Sequence, residues 1–99
     1  MIEDGTRIPI EDSFDLHSFL PRDVANALSD YLDEAFDRGW REVRIIHGKG
    51  KGVRRAEVRR LLAQNPRVVE FFDAPPGRGE FGATVVILRT GSERPPAIR

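Results

Sequence analysis

One stretch of eleven residues decides how this chain folds: Ile45-Ile46-His47-Gly48-Lys49-Gly50-Lys51-Gly52-Val53-Arg54-Arg55. An apolar strand ends in a histidine, glycines alternate with lysines, and a basic helix follows. Glycine lets the backbone approach a ligand closely, and the first turn of a helix offers unpaired N–H groups to an anion. A tight strand-to-helix turn alone would also need the glycines. Because the lysines add nothing to such a turn, the stretch favours a phosphate-binding loop.

A long amphipathic helix precedes this stretch. Pro21 suits a first helical position, and Gly39 is the expected stop. Between them, apolar side chains recur at helical spacing, at Val24, Ala27, Leu28, Tyr31, Leu32, Ala35 and Phe36. A second, basic helix is predicted from about Val53 to Gln64, because Asn65-Pro66 ends the pattern.

Four strands are predicted around the two helices, at residues 14–17, 42–47, 68–72 and 82–88. The order is therefore β-α-β-α-β-β. Strands separated by helices favour right-handed parallel crossovers, and the closely spaced last pair favours an antiparallel hairpin. We expect an α/β (α+β) two-layer sandwich, in which two helices pack on a mixed four-stranded sheet. Residues 1–13 are predicted to form an extended arm and residues 90–99 a disordered tail, because the tail has no apolar pattern.

The 99-residue chain carries 16 basic and 16 acidic residues, but they are segregated along the sequence. Residues 1–37 hold ten acidic residues against two basic ones, whereas residues 38–67 hold ten basic against two acidic. Two oppositely charged helices with solvated faces would explain this pattern. A basic third of a neutral chain is also typical of a surface that binds polyanions.

The composition narrows the class of protein. The chain has no cysteine, which excludes disulfides and thiolate metal sites and favours a reducing compartment. No apolar run is long enough to cross a membrane, and the acidic N-terminus is unlike a signal peptide. We therefore expect a cytoplasmic protein with no membrane partner.

Two histidines are the candidate chemical groups. Asp15 and His17 share one face of the first predicted strand, and a carboxylate can fix the tautomer of a histidine and raise its basicity. His47 ends the second strand. Because ligands collect beyond the carboxyl ends of parallel strands, both histidines are expected on one rim of the sheet. The alternatives are structural histidines, or a two-histidine, one-carboxylate metal site made by Asp15, His17 and His47.

Three aromatic residues could stack on nucleic-acid bases. Phe19 follows the first strand closely and is the best placed, whereas Tyr31 and Trp40 occupy core or helix-boundary positions. Packing is the simpler interpretation for all three.

With these residues in place, the chain resembles the Smr (small MutS-related) domain family. The family has a Leu-Asp-Leu-His-Gly signature on its first strand, a His-Gly-x-Gly signature after its second, and a Gly-Ala-Thr-type strand near its end. The corresponding segments are Phe14-Asp15-Leu16-His17-Ser18, His47-Gly48-Lys49-Gly50 and Gly82-Ala83-Thr84-Val85-Val86. They lie in register within a domain expected over residues 14–89. Ser18 replaces the usual glycine, and entry into the first helix through Pro21 resembles a stand-alone bacterial subgroup.

The resemblance implies a sandwich similar to the C-terminal domain of translation initiation factor 3. It also implies nucleic-acid binding and, in several members, endonuclease activity: nicking of DNA in repair, or cleavage of RNA at stalled ribosomes. The residues carried over for catalysis are Asp15, His17 and His47. The residues assigned to contact with phosphate or nucleic acid come from the motif and from the basic helix. They are Gly48, Lys49, Gly50, Lys51, Gly52, Arg54, Arg55 and Arg59.

Two functions follow as hypotheses. The first is an endonuclease in which His17, oriented by Asp15, serves as general base or acid while Lys49 stabilises charge on the phosphate. No metal site is predicted, and Mg²⁺ stays only a candidate cofactor. The second is a non-catalytic module that binds nucleic acid, a ribosome or a repair complex. A third, weaker alternative is a protein-interaction domain that uses its oppositely charged helices.

Overall fold

The computed structural model describes residues 10–48, 52–75 and 82–89. Its elements follow the predicted order: β1 (Asp12–Asp15), α1 (Pro21–Asp37), β2 (Glu42–Ile46), α2 (Val53–Ala63), β3 (Val68–Asp73) and β4 (Ala83–Leu88). The fold is α+β, with two helices and one mixed four-stranded sheet. This confirms the predicted fold class.

The four strands lie in the order β1-β2-β4-β3. β1 pairs with β2 in parallel, with Phe14 opposite Ile45. β4 lies between β2 and β3 and is antiparallel to both. The parallel crossover and the antiparallel hairpin are therefore confirmed. β1, β2 and β3 all point the same way, so their carboxyl ends share one edge of the sheet.

α1 has the predicted bounds because of its sequence pattern. Pro21 is its first residue, and the apolar stripe buries Val24, Leu28 and Leu32. The stripe of α1 and the buried Val58 and Leu62 of α2 belong to one core cluster, together with side chains of β2 and β4. Both helices thus pack on the same face of the sheet.

β1 is shifted towards the N-terminus relative to its prediction. It covers Asp12–Asp15 rather than residues 14–17, because Asp12 already pairs with Val43 and the Glu11 N–H donates to the Glu42 carbonyl (2.9 Å). Part of the predicted arm therefore belongs to the sheet. As a consequence, His17 lies in the turn after β1 rather than on the strand itself.

The opposite face of the sheet has a smaller apolar cluster. Ala74, Ala83 and Val85 are buried there, and Ile10 packs against them. Residues 1–9 and the predicted tail at 90–99 lie outside the described residues. Within the described ranges, no helix is long and apolar enough to cross a membrane.

Candidate functional site

Both histidines lie on the rim formed by the carboxyl ends of β1 and β2. In the parallel register Asp15 is opposite Ile46, and the Leu16 N–H donates to the Ile46 carbonyl (2.7 Å). His17 and His47 follow within two residues of these strand ends. The prediction that one rim carries both histidines is confirmed.

Asp15 and His17 form a tight pair on the exposed side of this rim. His17 Nδ1 is 2.5 Å from Asp15 Oδ1, and the His17 backbone N–H donates to the same oxygen (2.9 Å). These hydrogen bonds from His17 lower the pKa of Asp15 below its usual value. An ionised Asp15 accepts a hydrogen bond from the Nδ1–H group of His17, so the neutral ring keeps its lone pair at Nε2. Because 58% of the His17 side chain is exposed, a substrate can reach this imidazole.

His47 has the opposite environment. It is only 3% exposed, and both ring nitrogens have partners within the protein. Nδ1 lies 3.1 Å from the Gly48 carbonyl oxygen, which can only accept, so Nδ1 carries the hydrogen. Nε2 then accepts from the Thr84 hydroxyl at 2.9 Å. Burial lowers the pKa of His47, which favours the neutral ring that this pattern requires.

Gly48 brings the start of the glycine loop against His17. Its φ of +84° is a left-handed conformation that side chains rarely adopt, and a Cβ at this position would lie 3.4 Å from His17 Cβ. The N–H groups of His47 and Gly48 both donate to the Gly82 carbonyl (3.0 and 2.9 Å). β4 therefore holds this loop beside the Asp15–His17 pair.

The central residues of the predicted phosphate loop, Lys49, Gly50 and Lys51, lie outside the described residues. Gly52 directly precedes α2, and its carbonyl accepts the first helical hydrogen bond, from the Ala56 N–H (2.9 Å). The two described ends of the loop are therefore Gly48, beside His17, and Gly52, at the N-terminus of α2.

Arg54, predicted to contact phosphate, makes main-chain hydrogen bonds instead. Nη1 donates to the Leu16 carbonyl (2.7 Å) and Nη2 donates to the Phe19 carbonyl (3.0 Å). Its guanidinium thus joins the start of α2 to the turn that carries His17.

Arg55 and Arg59 converge on a carboxylate that the sequence did not single out. Two nitrogens of Arg55 contact Asp73, with Nη2 at 2.7 and 2.8 Å from its two oxygens, and Arg59 Nη1 lies 3.3 Å from Oδ1. Asp73 ends β3 and so lies on the same rim. The predicted basic surface therefore contains the carboxylate of Asp73, which both arginines contact.

Sequence reasoning also gave no role to Thr84, the partner of His47. Thr84 was visible only as part of the Gly-Ala-Thr segment, and Asp73 only as a residue after an apolar strand. Neither residue has a local pattern that indicates its distant partner.

The aromatic candidates pack within the protein. Tyr31 stacks on Phe14 with 4.5 Å between ring centroids, and Phe19 lies 5.8 Å from Phe14. The Tyr31 hydroxyl donates to Asp12 (2.7 Å), and burial raises the pKa of Tyr31 well above its usual value. Trp40 lies under the Arg38 guanidinium at 5.2 Å. These contacts favour the packing interpretation.

The described residues do not fit the alternative metal site. Among them, no group of three or more histidine or carboxylate side chains converges. His47 in particular has both ring nitrogens engaged by Gly48 and Thr84, so it has no free lone pair for a metal.

Comparison with known proteins identifies close structural neighbours of this fold. The Smr domain family model matches residues 14–89. The crystal structure of the Smr domain of Thermus thermophilus MutS2 superposes with a TM-score of 0.76 and 38% identity, covering 79% of this chain and 98% of that chain. YdaL, a stand-alone small MutS-related protein from Escherichia coli, gives a TM-score of 0.77 and 28% identity, covering 87% of this chain and 70% of that chain.

The curated relatives are much longer proteins. Endonuclease MutS2 of Caldicellulosiruptor saccharolyticus is 43% identical over 77 residues, which are 78% of this chain. Endonuclease MutS2 of Thermus thermophilus is 46% identical over 69 residues, which are 67% of this chain. The matched regions make up 10% and 9% of those proteins, so this chain spans about a tenth of the length of the relatives it matches.

Proposed function

The chain belongs to the Smr domain family, and from this premise we propose that it binds nucleic acid and cleaves phosphodiester bonds in DNA or RNA. The observation that carries the proposal is the exposed Asp15–His17 pair, 2.5 Å apart, directly beside the glycine loop. The longer relatives named endonuclease MutS2 support the same class of reaction.

In this proposal His17 is the general base. Nε2 takes a proton from the attacking oxygen, which is water on DNA or RNA, or a ribose 2′-hydroxyl on RNA. That oxygen bonds to phosphorus as the bond to the leaving oxygen breaks, and the proton then passes from Nε2 to the leaving oxygen. Asp15 stabilises the imidazolium while this proton is held.

The glycine loop is proposed to hold the scissile phosphate. Backbone N–H groups between Gly48 and Gly52 would contact its oxygens, and Lys49 would stabilise the negative charge that develops on them. Lys51 is proposed to contact the same strand of nucleic acid. The burial of His47 supports a positioning role, in which it fixes the loop through the Gly48 carbonyl, over the direct catalytic role carried over from the family motif.

Arg55 and Arg59 are proposed to contact flanking phosphates. Both guanidinium groups lie against Asp73 at the end of β3 and so bring positive charge to the rim. Because both side chains are about a third exposed, a phosphate group can approach them from solvent.

A cleavage assay tests the proposal. Supercoiled plasmid and structured RNA are incubated with the wild-type protein and with Asp15→Ala, His17→Ala and Lys49→Ala, each with Mg²⁺ or EDTA. A positioned base contributes about 10²–10⁴-fold in rate, so His17→Ala should slow cleavage by that factor. Binding by this variant should be almost unchanged, since the charged residues remain.

Two outcomes of the assay contradict the proposal. If purified His17→Ala cuts as fast as the wild type, the cleavage comes from a contaminating nuclease. If neither protein cuts any substrate but both bind, the chain is a binding module.

The binding module is the second candidate, and one observation favours it. His47 is engaged at both nitrogens, so among the described residues His17 is the one histidine available to a substrate. A binding module would show no turnover with or without Mg²⁺. Its affinity would fall with salt, and the log–log slope would shrink by about one for each phosphate-contacting lysine or arginine removed. A ribosome or repair complex as its wider partner, and a cytoplasmic location, also belong to this proposal.

A further inference from the structure

Arg54 closes the turn that carries His17. The Phe19 N–H donates to the Leu16 carbonyl (3.0 Å), which makes a four-residue turn with His17 and Ser18 at its centre. The Arg54 guanidinium spans both ends of this turn, from the Leu16 carbonyl (2.7 Å) to the Phe19 carbonyl (3.0 Å). Two separate nitrogens of one planar group make these two contacts, so the guanidinium fixes both ends of the turn at once.

The position of Arg54 in the chain makes this contact more than a local brace. Arg54 is the second residue of α2, directly after the glycine loop. At its other end the loop begins at Gly48, where a Cβ would touch His17. Gly48 therefore lies beside the His17 turn at one end of the glycine loop, and beyond the other end the Arg54 fork binds the same turn.

We infer that Arg54 is a positioning residue, whose fork holds the turn at Leu16 and Phe19 and so sets the orientation of the His17 imidazole on the rim. The inference rests on the proposed endonuclease function for its kinetic consequence, but its structural consequence is independent of cleavage. In this inference Arg54 holds the turn, whereas the sequence predicts that its positive charge contacts a flanking phosphate.

Arg54→Lys separates the two roles, because lysine keeps the charge and loses the fork. A lysine at a phosphate contact would preserve most of the affinity and rate. A lysine offers one nitrogen on a flexible stem in place of the two fixed nitrogens that contact Leu16 and Phe19, so the turn loosens. Misplacement of a catalytic group by about 1 Å can cost about 100-fold, so we expect kcat to fall about 10- to 100-fold in both Arg54→Lys and Arg54→Ala. KM and the salt slope of binding should stay close to those of the wild type.

Arg60→Lys is the matched control. Arg60 lies on the exposed side of the same helix, and the substitution makes the same chemical change. Its kcat, KM and salt slope should match those of the wild type. If Arg54→Lys cleaves as well as Arg60→Lys while Arg54→Ala loses one unit of salt slope, Arg54 is a phosphate contact and the inference is wrong.

A second measurement needs no cleavage. In the wild type, Asp15 holds His17 as the Nδ1–H tautomer, which ¹⁵N NMR of the imidazole detects. Arg54→Lys should shift the ring towards the mixed tautomers of free histidine and speed amide hydrogen exchange at Phe19 about 10-fold or more. Unchanged tautomer and exchange would overturn the inference. If the wild type cleaves nothing, the endonuclease proposal fails, and these spectra still decide the role of Arg54.

Discussion

At the scale of single residues, the two histidines on the rim have different chemistry because their surroundings differ. His17 exposes 58% of its side chain and has one carboxylate partner, whereas His47 is 3% exposed and has a partner at each ring nitrogen. A sequence motif presents both as equivalent candidates. This difference supports the proposal that His17 transfers the proton and that His47 fixes the loop.

The burial of His47 predicts how stability changes with pH. Its pKa is lowered in the folded protein, so above the ordinary value near 6.5 both folded and unfolded states carry a neutral ring and stability is highest. As the pH falls from about 6.5 through the folded-state pKa, the unfolded chain binds a proton that the folded protein excludes. The free energy of unfolding should therefore fall in this window, by at most about 1.4 kcal/mol per pH unit.

His47→Gln is the variant that isolates this effect, because glutamine does not titrate. Urea unfolding of both proteins between neutral and mildly acidic pH gives the difference in stability at each pH. All other groups are common to both proteins, so their contributions cancel. We expect the advantage of the wild type to shrink as the pH falls, and a constant difference would contradict a lowered pKa of His47.

At the scale of elements, the sequence predicted the helices and strands well and their contacts poorly. α1 follows from an unbroken apolar stripe and a proline start, and β4 from a run of β-branched residues. These signals are local. By contrast, the Thr84–His47 hydrogen bond joins residues 37 apart in sequence, and Arg54 and Leu16 are separated by 38. Periodicity carries no information about such pairs, so the site was predicted as a set of residues rather than as a geometry.

The loop that begins at Gly48 gives a test at this scale. Gly48→Ala and Gly39→Ala both place alanine at a positive φ, +84° and +81°, so each should cost about 1–2 kcal/mol of stability. Gly39 precedes β2 at the opposite edge of the sheet, with nothing within 4 Å of an added Cβ. At Gly48 the added Cβ would lie 3.4 Å from His17 Cβ, so only Gly48→Ala should also lower cleavage, by about 10-fold or more.

Thermal unfolding and the plasmid or RNA cleavage assay measure the two effects separately. Equal losses of cleavage in both variants would mean that lowered stability alone is responsible. Unchanged cleavage in Gly48→Ala would show that the start of the loop does not govern His17.

At the scale of the whole molecule, neutral net charge conceals a division between the two edges of the sheet. Asp73 pairs with Arg55 and Arg59 on the rim near both histidines, whereas Asp33 of α1 pairs with Arg67 (2.7 Å) just before β3, at the opposite edge. Each carboxylate neutralises arginine charge in its own region. The two carboxylates should therefore differ in their effect on the binding of a polyanion, even though each contributes the same charge to the net charge of the protein.

Asp73→Asn should tighten binding to nucleic acid. The side chain is about a third exposed, so water and salt weaken its field, and the gain should be about two- to five-fold at low salt and fade at high salt. Fluorescence anisotropy with a labelled oligonucleotide measures the affinity. Asp33→Asn removes the same charge from a carboxylate that also pairs with an arginine but lies far from the rim. It should therefore change the affinity little.

The comparison between the two variants decides what Asp73 does. Equal gains would reflect net charge only. Weaker binding by Asp73→Asn would mean that the carboxylate orients Arg55 for phosphate rather than competing with it.

β4 lies inside the sheet, and its late position in the chain decides when the sheet can be completed. β4 is the last strand of the sheet along the sequence, yet it lies between β2 and β3 and supplies both the Thr84 hydroxyl and the neighbouring Gly82 carbonyl that hold the glycine loop. During synthesis the N-terminal segments emerge first. The helices and the Asp15–His17 segment are therefore made before the strand that fixes the loop beside them. A nascent or partly unfolded chain lacks the finished rim, so the rim can act on a ligand only after folding is complete.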